Sequence, residues 1–414
     1  MISRALVVLL AAATAGAAPI GSLHGIHGAA GCISPADVPS PCRHARELRG
    51  DIVISADGRT VYTIGGFDAR SAIAVLRRDA RTGALVQLPG RAGCVLRTGG
   101  NCTAGLLNNP AALVVTPDGR EAVWANPPSE HFVVAYRRAR SGALSELPCR
   151  LFCITGTRGL PSCVKALAAS PDSRNLYVTC GQALAVYARD AATGRITQLA
   201  GARGCISGTG RAGCPIPQLG PFTPASIVVS NDGSSVYVLS SGANAVYAFT
   251  RDTANGALTP AACYARAPSP RCRPLFGLET AFALDLSRDG RNAYVVGRSS
   301  GGEQALAVLA RAADGALARV AIVRLGNAFA GSVTVAPDAK SVYVTNEKGV
   351  DAFARARDGT LSRLLSSFGR LRLRPTDPEA MHVVLSPDGR FAYIATGYES
   401  DEKPNRILVL RRTR

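Results

Sequence analysis

One phrase recurs seven times along this 414-residue chain, and the recurrence decides what it can fold into. The unit reads apolar strand, S-x-D-G-type turn, x-V-Y-V strand, loop, A-V-x-V-x-x-R-D strand, T-G-A-L-x-x-L strand. Its turn aspartates are Asp57, Asp118, Asp172, Asp232, Asp289, Asp338 and Asp388, spaced 49 to 61 residues apart. That spacing accommodates four short strands and a connecting loop. Asp-Gly supports the positive φ of a tight hairpin, so the first two strands of each unit are antiparallel neighbours. Val-Tyr-Val, as at Val236-Tyr237-Val238 and Val342-Tyr343-Val344, is β-branched and aromatic and fits a strand covered on both faces. Arg-Asp followed by Thr-Gly, as at Arg189-Asp190 and Thr193-Gly194, marks a second polar hairpin. Four-stranded sheets packed face to face around an axis leave few exposed edges. The expected fold is all-β: a seven-bladed β-propeller with four-stranded blades.

The last unit stops after its third strand, Ile407 to Leu410, without a G-A-L-x-x-L segment. A match stands at the other end of the chain. Gly21-Ser22-Leu23 followed by Ala30-Gly31-Cys32 parallels Gly83-Ala84-Leu85 followed by Ala92-Gly93-Cys94. Residues 20–27 are therefore expected as the outer strand of blade seven, fastening the first residues to the last. Ahead of them, Arg4, the apolar run Ala5 to Ala15 and the small residues Ala15-Gly16-Ala17 read as a signal peptide over 1–17. Residues 18–414 then form one propeller domain, exported to the periplasm or beyond, with no membrane span and no partner subunit expected.

Export changes the meaning of the twelve cysteines, which are most simply six disulfides. Five pairs recur at equivalent places in successive units: Cys32–Cys42, Cys94–Cys102, Cys153–Cys163, Cys205–Cys214 and Cys263–Cys272. Their placement puts them in the connections between blades. The remaining two, Cys149 and Cys180, fall on the same rim and are expected to pair across blades two and three. No CxxC pair exists, so neither a structural metal nor any cofactor is expected. The rim with the cysteines is elaborated, whereas the opposite rim carries tight turns. Loops on a rigid scaffold commonly carry binding, which makes the elaborated rim the expected working face.

The formal charge is +18, with 43 Arg against 4 Lys. Such a balance favours an anionic glycan, a cell-wall polymer or an acidic protein as partner. A genome that writes Arg at solvated positions explains the same bias. No aromatic-interleaved basic stripe points to specific nucleic-acid binding.

Tyr343-Val344-Thr345-Asn346 is the tetrapeptide for which YVTN-type propeller repeats are named. With the S-P-D-G-R and T-G-x-L-x-x-L phrases, the chain resembles the bacterial lactonase-like seven-bladed propellers, a group that includes the propeller type of 6-phosphogluconolactonase. The resemblance spans the chain beyond residue 17 and rests on strand and hairpin signals, which specify fold far more than function. It implies polar features at a P-R-H phrase and an N-E phrase. Here His382 follows Glu379-Ala380-Met381, and Asn346-Glu347 stands one blade away.

Aligning the inner strands on the turn aspartate places Asp51, Ala112, Ala166, Ser226, Ala283, Ser332 and His382 at one level near the channel mouth. The next position is always apolar and belongs to packing between blades. Ser332, His382 and Asp51 are the residue types of a nucleophile, a base and an orienting acid. Packed sheets stand about 10 Å apart, so these short side chains are expected not to meet. Arg370, Arg372 and Arg374 alternate in the last inter-blade connection and form a candidate anion grip, with Asp285, Asn126 and Asn346 as further ligand-binding candidates. Gly297-Arg298-Ser299-Ser300-Gly301 and Gly208-Thr209-Gly210-Arg211-Ala212-Gly213 match catalytic and dinucleotide motifs, but neither has the strand–helix flanks those motifs need. Two functions stay open. The first is an exported binding or surface protein working through the disulfide-rich rim. The second is a sugar-lactone hydrolase at the channel mouth, with His382 and Glu347 or Asp51 activating water.

Overall fold

The computed structural model describes residues 18–48, 50–66, 71–107, 112–125, 133–148, 153–154, 164–210, 213–217, 222–265, 272–274, 280–299, 301–364, 370–372, 379–397 and 405–414; for 153–154 and 370–372 it describes the backbone alone. The expected signal peptide lies outside these residues.

Seven sheets follow one another along the chain, each running outward from an inner strand through mainly antiparallel neighbours. The inner strands are Asp51–Ile54, Ala112–Val115, Ala166–Ala169, Pro224–Val229, Thr280–Leu286, Ala330–Val335 and Ala380–Leu385. Each touches the next, and Ala380–Leu385 touches Asp51–Ile54, so the ring is closed. Second strands such as Thr60–Gly65, Asn175–Cys180 and Ser341–Asn346 are buried at every residue, as Val-Tyr-Val requires. Seven hydrophobic clusters form the core, one between each successive pair of blades.

The outer strands differ from expectation. In blade one, Leu85–Gln87 pairs with the third strand, the chain takes a short 3-10 turn at Gly90–Gly93, and Cys94–Leu96 returns to the same third strand. The first cysteine thus lies inside the sheet and not in the connection between blades. A one-turn bulge lets the strand resume its ladder, and the glycine before the cysteine makes room for it. A Cβ at Gly93 would sit 2.2 Å from the Leu88 carbonyl oxygen. Arg370–Arg372 takes the same place in blade six, paired with Gly349–Asp351, and so is an outer strand where an inter-blade connection was expected. Four local disulfides form as the spacing implies: Cys32–Cys42, Cys94–Cys102, Cys205–Cys214 and Cys263–Cys272. Cys149 and Cys163 lie outside the described residues, so the pairs Cys153–Cys163 and Cys149–Cys180 do too.

On the turn face, one arginine at the end of each third strand reaches back to the preceding blade. Arg78, Arg138, Arg189, Arg251, Arg311, Arg355 and Arg412 pair with Asp388, Asp57, Asp118, Asp172, Asp232, Asp289 and Asp338 at 2.8–3.0 Å. These guanidinium groups are almost wholly buried. In six blades the arginine Nε also donates to the hydroxyl of the preceding blade's core tyrosine, as Arg138 does to Tyr62 and Arg412 to Tyr343. That hydroxyl donates in turn to a glycine carbonyl at the second hairpin of the arginine's own blade, as Tyr62 does to Gly142. Blade two has Val123 where the others have tyrosine, and there Glu121 accepts from Arg189 instead. The guanidinium spreads its donors over three nitrogens in one plane and so reaches carboxylate, hydroxyl and backbone carbonyl at once, a spread that the single nitrogen of lysine does not match.

The ring closes through the same device. Leu23–Gly25 pairs antiparallel with Arg406–Arg412, and the Tyr343 hydroxyl donates to the Gly21 carbonyl at 2.8 Å. Gly21 has φ of +91°, and a Cβ there would meet the Ser341 hydroxyl.

The turn aspartates carry a pH signature. Burial acts to raise each carboxyl, but a neighbouring Ser or Thr hydroxyl, a backbone N–H two residues on and the adjoining blade's arginine outweigh it in most blades; in Asp338 the guanidinium is the leading partner. All seven are held below the ordinary aspartate value. Depressed values in the fold mean that the unfolded chain takes up protons first as pH falls, so stability present above about pH 4 is lost below it. The melting temperature is expected not to fall from neutral pH to about pH 5 and then to drop steadily below about pH 4. Calorimetry across that range checks it, and a melting temperature unchanged down to about pH 2.5 would refute the role given to these carboxylates.

Candidate functional site

Alternation along each inner strand divides channel wall from packing. Ile52, Leu113, Ile227, Leu284, Val333 and Val383 are buried between blades, while Asp51, Ala112, Ala166, Ser226, Ala283, Ser332 and His382 are partly open toward the axis. At that level His382 Nδ1 stands 3.8 Å from Asp51 Oδ1, across the junction of blades seven and one. The expectation that they stay apart is corrected. The 10 Å figure describes the bodies of packed sheets, whereas these residues sit on inner edges that converge on the axis. Both side chains keep contact with solvent, 44% and 34% exposed. Asp51 Oδ1 also accepts the Ile52 N–H at 2.7 Å, which holds the carboxylate at the wall.

Other candidates are placed differently. The Ser332 hydroxyl lies 3.0 Å from that of Thr345, which donates to the Met381 carbonyl and so ties blade six to blade seven. Glu347 is exposed on the elaborated rim, in the turn after Ser341–Asn346, and its N–H donates to the Phe329 carbonyl. Asn346 is buried: its carbonyl oxygen accepts the Lys348 N–H, and its amide donates to Asp351. Asn126 and Arg374 lie outside the described residues, as do the side chains of Arg370 and Arg372. Among the described residues, no cluster of His, Cys, Asp or Glu has the makings of a metal site, and no helix is long and apolar enough to cross a membrane.

Two features escaped the reading of the sequence. Phe282 and Phe329 stack at 5.4 Å and 14° at the start of the inner strands of blades five and six, with Phe329 45% exposed on the rim. The available signal was a phenylalanine beside the start of two successive inner strands. The second is a cavity of about 550 Å³ in the channel, open on the turn face. Its wall holds Asp285, at a level where the other blades place Val53, Val114, Ala168, Val228, Thr334 and Val384. The Leu286 and Val335 N–H groups each donate to one Asp285 oxygen, at 2.8 and 2.7 Å. Burial pushes the Asp285 carboxyl up to about 6, against the pull of those two N–H groups and of the Arg288 charge. Its effect on stability therefore opposes that of the turn aspartates, because protonation as pH falls through about 6 relieves a cost. On the turn face six of the seven turns place an exposed cation two residues after the aspartate, outside the lining of this cavity: Arg59, Arg120, Arg174, Arg291, Lys340 and Arg390.

No protein-family model and no curated protein matches the sequence. Solved structures do match. The periplasmic gluconolactonase of Pseudomonas aeruginosa aligns over 85% of this chain and 98% of its own, with 19% identity and a TM-score of 0.58. A candidate 6-phosphogluconolactonase from Bacteroides fragilis aligns over 76% and 82%, with 18% identity and a TM-score of 0.55. Hydrazine synthase of Kuenenia stuttgartiensis aligns over 91% and 98%, with 18% identity and a TM-score of 0.56. Chemistry so different on one scaffold means that these likenesses speak to fold and leave the reaction to the site. In fold, this chain is a seven-bladed β-propeller similar to these lactonase structures.

Proposed function

We propose that the chain is an exported hydrolase of a sugar lactone, acting at the channel mouth. The observation that carries this reading is the approach of His382 to Asp51 at a wall both side chains share with solvent. With Nδ1 facing Asp51, the imidazole has Nε2 left to take a proton from water. The hydroxide adds to the lactone carbonyl carbon, and the ring C–O bond breaks as the carbonyl re-forms. The leaving alkoxide takes the proton back from His382, giving a hydroxy acid. Asp51 stabilises the imidazolium between these steps, as the acid of a dyad does. The Phe282–Phe329 stack, one blade from His382, offers a flat apolar platform to the carbon face of a sugar ring. The gluconolactonase and 6-phosphogluconolactonase names among the structural neighbours agree with a lactone substrate. Four disulfides among the described residues suit an oxidising compartment outside the cytoplasm.

The test is D-glucono-1,5-lactone hydrolysis followed by pH-stat above the spontaneous rate. His382→Ala is expected to lower kcat/KM about 100-fold, the usual worth of a general base. Equal rates for the two proteins would remove the site. A second reading, an exported binding scaffold, draws on the stapled loops of the same rim and on the +18 charge. Retention of an anionic glycan with no lactone turnover in the unaltered protein would favour it.

A further inference from the structure

The turn-face end of the channel plays no part in the reaction above. We propose that this cavity binds a small zwitterion of the amino-acid type, with its ammonium on Asp285 and its carboxylate toward Arg288. Asp285 is the one carboxylate among the residues that line the cavity, and its neighbours at the same level are apolar or Thr334. Each of its oxygens accepts a single backbone N–H, which leaves lone pairs for a further donor. Arg288 lines the same cavity, exposed at its mouth, and its charge acts on Asp285. The Asn231 amide donates to the Arg288 carbonyl and fixes the backbone there.

This charge pattern selects its ligand. A simple amine satisfies Asp285 but meets the Arg288 guanidinium at the mouth. A simple carboxylate suits Arg288 but meets Asp285 in the wall. A molecule with both charges a few atoms apart satisfies both, and Val228 and Val384 favour an apolar side chain. One carboxylate cannot hold a metal ion, which needs several ligands. The cavity volume of about 550 Å³ lies in the ordinary range for small-molecule sites.

Calorimetric titration of the purified protein with L-leucine, 4-methylpentanoate and isopentylamine tests the proposal. L-leucine is expected to bind about tenfold or more tightly than either partial analogue. Arg288→Gln is expected to weaken L-leucine about tenfold, to strengthen isopentylamine, which no longer meets the guanidinium, and to leave the melting temperature unchanged. Asp285→Asn is expected to abolish binding of both amine-bearing probes. Because Asp285 also joins blades five and six, Arg288→Gln decides the matter if the Asp285 variant fails to fold. His382→Ala is expected to bind L-leucine normally, whatever it does to lactone turnover. No heat with L-leucine up to about 10 mM, or equal affinity in the Arg288 variant, overturns the proposal.

Discussion

Arg412→Ala is expected to cost about 3–5 kcal/mol of stability, whereas Arg411→Ala, one residue earlier, should stay within about 0.5 kcal/mol. The two arginines share a strand and face opposite ways. Arg411 is exposed. Arg412 is 3% exposed and joins four partners across two blades: Asp338, the Tyr343 hydroxyl, the Ser341 hydroxyl and the Gly389 carbonyl. Truncating it leaves the Tyr343 hydroxyl without its donor and the Asp338 carboxylate without its counter-ion. The loss of a packed guanidinium, with the buried Tyr343 and Ser341 hydroxyls and the Gly389 carbonyl left without their donor, makes such a deletion expensive, more than the ion pair to the solvent-touching Asp338. Urea unfolding of the two single variants measures the contrast. Equal midpoints would show that the seams contribute nothing beyond the apolar clusters between blades.

This seam shows where reading the sequence stopped. Each turn aspartate was legible as a hairpin signal, because Asp-Gly acts through its own four residues. Its second role, as acceptor for the next blade's arginine, depends on which turns become neighbours in space. Three of the third-strand arginines, Arg78, Arg189 and Arg251, stand in the R-D phrase and the other four do not, so the arginine excess reads as surface charge. Their regular recurrence at a strand end was the usable signal.

The channel teaches the same lesson at closer range. Alignment on the turn aspartate put His382 and Asp51 at one level, because alternation along a strand fixes which face a residue takes. Their separation was not legible, because the inner edges converge on the axis whereas the spacing of packed sheets describes the bodies of the blades. Asp285 stood out as an ionisable residue on an inner strand. That it lines a cavity opening on the turn face was not legible, because the volume left at the axis depends on all seven blades together. The local cysteine pairs followed from spacing alone. The 3-10 turn that places the first cysteine of three inserts inside the sheet did not, although Gly-Cys recurred after it as Gly31-Cys32, Gly93-Cys94 and Gly204-Cys205.

A chain beginning at residue 28 is expected to lose on the order of 4 kcal/mol against one beginning at residue 18. The shortened chain lacks Leu23–Gly25, the strand that completes blade seven. It also lacks the Gly21 N–H to Thr413 carbonyl bond, the Thr413 N–H to Ser22 carbonyl bond, the Tyr343 hydroxyl bond to the Gly21 carbonyl, and the His24–Thr413 contact. At about 1 kcal/mol net for each, the sum is comparable with the seam itself. The loss has a second consequence, because Arg406–Arg412 becomes a bare edge strand for half its length. Such an edge pairs with whatever strand it meets, so the shortened chain should dimerise or aggregate where the longer one does not. A peptide spanning residues 18–28, added in trans, should bind that edge and raise the melting temperature by strand addition. A peptide with Gly21→Val should fail. At Gly21 the backbone is left-handed, and a Cβ would displace the Ser341 hydroxyl, to which Arg412 donates. If the shortened chain melts with the longer one and stays monomeric, Cys32–Pro35 alone suffices to close the ring.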